Sequence, residues 1–101
     1  MIKDFFAARR DAQEALEKQS YLLQQKEGDL VFARGALNTF KNAFLSLDES
    51  DPEELAGLMK ETILRYTIKM ENLEKEINSI TVNISSIRRD LKKYSLAPAI
   101  Q

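Results

Sequence analysis

The middle of the chain carries one strong helix-start signal, the stretch Leu47-Asp48-Glu49-Ser50-Asp51-Pro52-Glu53-Glu54. Asp51 is suited to cap a helix, and Pro52 suits the first helical position because its missing N–H would have no helical partner there. The two glutamates that follow lie where the helix dipole favours negative charge. The stretch therefore predicts a turn over about residues 47–51 and a second helix that begins near Pro52. A calcium loop is the alternative, but it needs a glycine and regularly alternating oxygen ligands, which this stretch lacks.

Apolar residues on both sides of this turn recur at alternating spacings of three and four, the heptad pattern of coiled-coil helices. We call these positions the seam. After the turn, the seam comprises Ile63, Tyr66, Met70, Leu73, Ile77, Ile80, Ile84, Ile87, Leu91 and Tyr94. Before the turn, it comprises Ile2, Phe5, Arg9, Ala12, Leu16, Gln19, Leu23, Lys26, Leu30, Ala33, Leu37, Phe40, Phe44 and Leu47, with Arg9, Gln19 and Lys26 as polar interruptions.

Gly28 raises the alternative that the first helix is broken, because an interior glycine costs about 1 kcal/mol relative to alanine. Leu23 and Lys26 before Gly28 nevertheless share their heptad frame with Leu30 and Ala33 after it. An inserted loop would usually shift that frame, so the sequence favours one continuous helix.

The predicted fold is all-α, with two long helices that form an antiparallel coiled-coil hairpin and complete a helical bundle by oligomerisation or with a partner. We expect one domain over residues 1–101, with a helix over about 3–46, a helix over about 52–94 and a flexible tail over about 95–101. An antiparallel arrangement around the turn predicts Phe40 and Phe44 near Leu55 and Met59, Leu30 near Met70, Phe5 near Tyr94, and Arg9 near Asp90.

The predicted hairpin leaves apolar surface without cover. Its isoleucine-rich segment, which includes Ile80 and Ile84, faces the part of the first helix that contains Gln19 and Lys26. Further apolar residues lie outside the seam, whereas a two-stranded coil needs only a narrow apolar stripe. The sequence therefore predicts a protein-binding surface at Phe32, Val31, Leu64, Ile68, Ile80 and Ile84.

Phe32 is the most informative of these residues, because Gly28 and Gly35 lie one turn away on either side and leave little relief around its ring. We expect Val31, Leu64 and Ile68 at the same level of the hairpin. The alternative is a single exposed aromatic residue, which is common and needs no partner.

Charge is distributed unevenly along the chain. Residues 46–61 hold six acidic residues and one lysine, whereas seven basic residues near the chain ends, Lys3 among them, oppose three acidic ones. The candidate electrostatic contacts are Arg9, Arg10, Arg88, Arg89, Lys92 and Lys93. In the second helix, acids near the start and bases near the end also suit the helix dipole, which is the simpler explanation.

The complete absence of His, Cys and Trp removes imidazole and thiolate chemistry and the usual zinc sites. The three glycines are isolated, so no phosphate-binding loop is present. We therefore expect no enzymatic activity, no cofactor, no metal and no small-molecule substrate. The net charge of −1 argues against general affinity for nucleic acid or anionic membrane.

The sequence thus predicts a cytoplasmic protein–protein interaction module that acts as an adaptor, a small chaperone or an inhibitor. A homodimeric four-helix bundle is the expected assembly, and its partner is a protein rather than a membrane. The alternative is a nucleic-acid-associated helical protein that binds through its basic end.

Overall fold

The computed structural model describes residues 2–96 and contains two helices there, α1 (Ile2–Leu45) and α2 (Glu53–Leu96). The predicted fold class, two long helices in an all-α hairpin, is confirmed. Gly28 lies inside α1, so the prediction of one continuous first helix is also confirmed. The helix α2 continues through Leu96, two residues into the predicted tail, and residues 97–101 lie outside the described part of the chain.

The described seam residues of both helices are buried or partly buried, as the heptad pattern predicts. The chain divides into two compact units. The turn unit comprises Lys26–Glu76, and the terminal unit comprises the described residues up to Gln25 and from Ile77 onward. In each unit a segment of α1 packs antiparallel against a segment of α2.

The core of the turn unit is formed by seam residues from both helices, namely Leu30, Ala33 and Leu37 of α1 and Leu73 of α2. Burying a leucine side chain stabilises a fold by roughly 1.5–3 kcal/mol, so these contacts hold the helix pair together. Nearer the turn, the rings of Phe40 and Tyr66 stack with their centroids 5.8 Å apart. In the turn unit, α1 and α2 therefore pack together through buried seam residues, chiefly leucines, and through one aromatic stack.

The prediction that Phe40 lies near Leu55 and Met59 is wrong, because Phe40 stacks on Tyr66, about two helical turns further along α2. Phe44 does lie close to the predicted region, with the Lys60 ammonium 5.7 Å from its ring centroid. Phe44 belongs to the last turn of α1, whereas Lys60 lies about two turns into α2. The start of α2 therefore extends past the end of α1. A pairing counted symmetrically from the turn puts the partner of Phe40 about two helical turns too early in α2.

The connection between the helices is organised by Asp48. Its Oδ1 accepts hydrogen bonds from the Ser50 backbone N–H, at 2.8 Å, and from the Ser50 hydroxyl. The Asp48 N–H in turn donates to Asp51 Oδ2 at 2.9 Å. The expectation that Asp51 caps α2 is thus wrong in its direction, because the carboxylate of Asp51 binds backward along the chain. The Asp51 N–H in turn donates to the Asp48 carbonyl oxygen at 3.1 Å, so the two residues close the turn rather than the start of α2.

Hydrogen bonds from the Ser50 hydroxyl and backbone N–H hold the pKa of Asp48 below its ordinary value. A carboxyl whose pKa is lower in the folded chain adds stability above its unfolded pKa. That contribution is lost as the pH falls through the folded pKa. The hydrogen bonds that the Asp48 carboxylate accepts therefore stabilise the turn more at neutral than at acidic pH.

The terminal unit has its own apolar core, formed chiefly by α2. Ile80 and Ile84 are exposed over only 6% and 5% of their surface. At the other end of this unit, the rings of Phe5 and Tyr94 meet edge to face with their centroids 5.5 Å apart. The predicted contact between Phe5 and Tyr94 is confirmed.

Candidate protein-binding surface

The two most informative exposed apolar residues lie next to each other on α1 in the turn unit. Val31 and Phe32, which we call the Phe32 patch, are 68% and 67% exposed. Both lie outside the seam, so the packing of α1 on α2 leaves them in contact with water. An exposed phenylalanine beside a β-branched residue is the kind of anchor that concentrates binding energy at protein interfaces.

The backbone on both sides of Phe32 is unusually open. A Cβ atom added at Gly28 or at Gly35 would meet no atom within 4 Å, and neither glycine has a positive φ. The hairpin itself therefore does not require glycine at these positions, although each costs about 1 kcal/mol relative to alanine. Their effect is to leave the Phe32 ring standing clear of its own helix.

Leu64 and Ile68 of α2 are also exposed, over 58% and 47% of their surface. They belong to the turn unit, as the Phe32 patch does. Arg34 of α1, two residues after Phe32, lies with its guanidinium 3.5 Å from the Glu74 carboxylate of α2. The expectation that Leu64 and Ile68 lie at the level of Phe32 stays a prediction.

The predicted exposure of Ile80 and Ile84 is wrong, because both belong to the buried core of the terminal unit. In the same unit, Leu16 and Leu23 of α1 are partly buried seam residues, so apolar residues of both helices contribute to this core. Neither isoleucine is free to act as an exposed anchor in this hairpin.

Gln19 occupies a seam position of the terminal unit, and its carbonyl oxygen Oε1 is buried without a hydrogen-bond partner. Beside it lies a groove of about 370 Å³ between the two helices. Its lining residues are Ala15, Lys18, Gln19, Asn83, Ser86 and Ile87. A buried carbonyl without a donor costs about 1–3 kcal/mol, so this part of the seam is left incomplete. Sequence reasoning identified Gln19 but not the groove.

Lys26, a second polar interruption of the α1 seam, lies in the turn unit and has a partner on α2. Its ammonium is 2.7 Å from the Glu76 carboxylate, and the Lys26 side chain is 29% exposed. The hydrogen bond and the charge of Glu76 raise the pKa of Lys26 above its ordinary value. Sequence reasoning missed Glu76, although a carboxylate facing a seam lysine is a readable signal once the pairing is known.

The basic residues predicted as electrostatic contacts all lie in the terminal unit. Arg10, Arg88, Arg89, Lys92 and Lys93 are exposed, and Arg9 is partly buried at its seam position. The predicted ion pair between Arg9 and Asp90 is absent from the described residues, because Asp90 instead lies 4.0 Å from Lys93 on its own helix. These residues form a solvated basic surface, in which exposed ion pairs contribute about 0–1 kcal/mol.

Two further observations concern the described part of the chain. It contains no group of three or more acidic, His or Cys residues placed to hold a metal ion. Neither of its helices has a stretch apolar enough to cross a lipid bilayer.

No protein-family model, curated protein or solved structure matches this chain.

Proposed function

We propose that this chain is a non-enzymatic protein-binding module, and that it binds through the Phe32 patch. The observation that carries the proposal is the exposure of Phe32 and Val31 on the turn unit, where the seam residues between α1 and α2 are already buried. A two-stranded coiled coil in water does not need large apolar side chains outside its seam. A third or fourth helix laid on α1 would cover them.

The apolar surface is favoured over the basic surface for an energetic reason. An aromatic anchor at the centre of an interface can contribute about 2 kcal/mol or more. Exposed ion pairs such as those available to Arg88 and Arg89 contribute about 0–1 kcal/mol each and weaken with salt. Basic residues can therefore guide an encounter, whereas the Phe32 patch supplies affinity.

The expected partner is a second copy of the chain, which gives a four-helix bundle. Roles as an adaptor, a small chaperone or an inhibitor would use the same surface, with one client protein in place of the second copy. All three depend on helix-to-helix packing rather than on chemistry.

Sedimentation equilibrium at micromolar concentration tests the proposal. We expect a dimer for the unmodified chain and a dissociation constant at least about tenfold higher for Phe32→Ala, with helix content unchanged because alanine is the better helix former. Leu45→Ala is the matched control, because Leu45 is an exposed apolar residue of the same helix outside the Phe32 patch. A strictly monomeric chain with a cooperative, high-temperature melt would refute the proposal.

A double charge reversal, Arg88→Glu with Arg89→Glu, separates the two surfaces. We expect it to weaken association less than Phe32→Ala at physiological salt. If the reversal abolishes association while Phe32→Ala leaves it intact, the basic surface is the binding site and the nucleic-acid alternative takes first place.

A further inference from the structure

The Phe32 patch lies inside a symmetric pattern of small and large residues on α1, Gly28-x-x-Val31-Phe32-x-x-Gly35. All four residues are exposed and belong to the turn unit. At 3.6 residues per turn, the two glycines lie within about 20° of each other around the helix. Val31 and Phe32 lie about 50° to either side of the line between them. The surface is therefore a line of low relief between two apolar ridges, and its pattern is the same in both directions along α1.

The packing of the hairpin does not account for either glycine. A Cβ atom added at Gly28 or Gly35 would meet no atom within 4 Å, so alanine would fit there and would favour the helix. Both glycines lie about 180° around α1 from the core residues Leu30, Ala33 and Leu37, and so face away from α2. Glycine allows another backbone to approach closely, because no side chain holds it off. The pattern therefore fits a second helix on the solvent side of α1.

Charge favours a second copy of the chain as the source of that helix. Three charged residues of this segment, Glu27, Asp29 and Arg34, lie about 90–110° around α1 from the line between the glycines. The turn unit as a whole holds seven Lys and Arg residues and eleven Asp and Glu residues, which gives −4. Like charges that face each other across an interface oppose binding, so two negative turn units are best joined through an uncharged face. A basic partner would instead be favoured by acidic residues on the binding face.

We infer that two copies of the chain cross at this segment, α1 against α1 in opposite directions, about a two-fold axis level with the Val31–Phe32 peptide bond. The inference rests on the proposed function, since it assigns the occupant of the Phe32 patch. A two-fold interface needs a self-complementary surface, which the symmetric pattern supplies. The axis brings Gly28 of one copy level with Gly35 of the other. Every residue of this contact belongs to the turn unit.

The glycines determine how closely the two α1 helices approach. The distance between packed helix axes is about 8–10 Å and depends on the side chains at the contact, so glycine on both sides favours the short end of that range. The axis also places the two Phe32 rings on one side of the crossing and the two Val31 side chains on the other. Each side chain can then pack along the backbone of the second copy. The crossing therefore buries the apolar residues that the hairpin leaves exposed, and it accounts for the two glycines.

The close approach is tested by Gly35→Leu in sedimentation equilibrium. Leucine overfills the contact, so we expect a dissociation constant at least about tenfold higher. The urea midpoint should rise, because leucine is a better helix former than glycine. Gly57→Leu is the matched control, because Gly57 is an exposed helical glycine of the same unit whose added Cβ also meets no atom within 4 Å. It should raise the urea midpoint and leave the dissociation constant unchanged. An unchanged dissociation constant for Gly35→Leu, or an equal rise for Gly57→Leu, would overturn the inference.

The two-fold axis is tested by cross-linking between single cysteines, because the chain has no cysteine of its own. Along α1, the axis places Val31→Cys about 2 Å from the same position of the second copy, and Asn38→Cys about 20 Å from its own. Both positions are exposed on the same helix. We expect a short thiol-to-thiol cross-linker to give covalent dimers of Val31→Cys and few of Asn38→Cys. Equal yields, or a higher yield for Asn38→Cys, would overturn the two-fold crossing.

Failure of this inference is distinguishable from failure of the proposed function. A dimer that Phe32→Ala weakens and Gly35→Leu does not would keep the Phe32 patch as the binding surface and overturn the crossing of the two α1 helices. A monomer in every sedimentation run would overturn both.

Discussion

Gln19 and Lys26 both interrupt the apolar seam of α1, but only Lys26 has a partner on α2. In the turn unit, the Lys26 ammonium lies 2.7 Å from Glu76. In the terminal unit, the buried Gln19 oxygen has no hydrogen-bond partner and borders an open groove. A polar residue in the apolar seam therefore has a different structural outcome at each of these two positions. The interruption at Lys26 is satisfied within the hairpin, and the one at Gln19 marks a place where the hairpin is incomplete.

The largest effect is expected from Gln19→Leu, which removes the unpaired acceptor and extends the apolar seam. We expect the free energy of unfolding to rise by about 1–3 kcal/mol, the cost of leaving such a group unsatisfied. Urea denaturation measures it. Gln19→Glu is the control, since it keeps the length of the side chain but buries a charge, and it should destabilise. A lower stability for Gln19→Leu would mean that the Gln19 amide has a donor that matters.

A smaller effect is expected from Lys26→Leu. The substitution extends the seam in the same way, but it also leaves the Glu76 carboxylate without its partner. The urea midpoint should therefore rise less than it does for Gln19→Leu, and adding Glu76→Gln to Lys26→Leu should raise it further. Equal gains for Lys26→Leu and Gln19→Leu would contradict the contrast between the two positions.

The smallest effect is a dependence on alkaline pH. Because Glu76 raises the pKa of Lys26 in the folded chain, the folded state holds this proton more tightly than the unfolded state. The resulting stabilisation is fully present below the ordinary lysine pKa and is lost as the pH rises through the raised pKa. As the pH rises through the raised pKa of Lys26, the unmodified chain should therefore lose stability relative to Lys26→Leu, as urea denaturation at each pH would measure.

The seam and the continuity of α1 through Gly28 were predictable because heptad periodicity depends only on spacing along one helix. Pairing across the hairpin was less predictable. Phe5 meets Tyr94 as expected, whereas Phe40 meets Tyr66, so the pairing near the turn departs from the symmetric count. A sequence shows which residues belong to a turn, but it does not show how far the chain advances before the second helix starts.

The binding surface was predicted in part. The exposure of Phe32 follows from its position outside the heptad frame, so the pattern alone was sufficient. The burial of Ile80 and Ile84 was not predicted, because a count of polar residues in α1 does not show how closely the two helices pack. The groove beside Gln19 depends on the space between two helices, which residue spacing does not define.

The central claim is that the Phe32 patch binds another protein surface, in the first place that of a second copy. Sedimentation equilibrium of the unmodified chain beside Phe32→Ala and Leu45→Ala tests it most directly. We expect a dimer for the unmodified chain and for Leu45→Ala, and a dissociation constant at least about tenfold higher for Phe32→Ala. Equal dissociation constants for all three chains, or a monomer for the unmodified chain, would contradict the account.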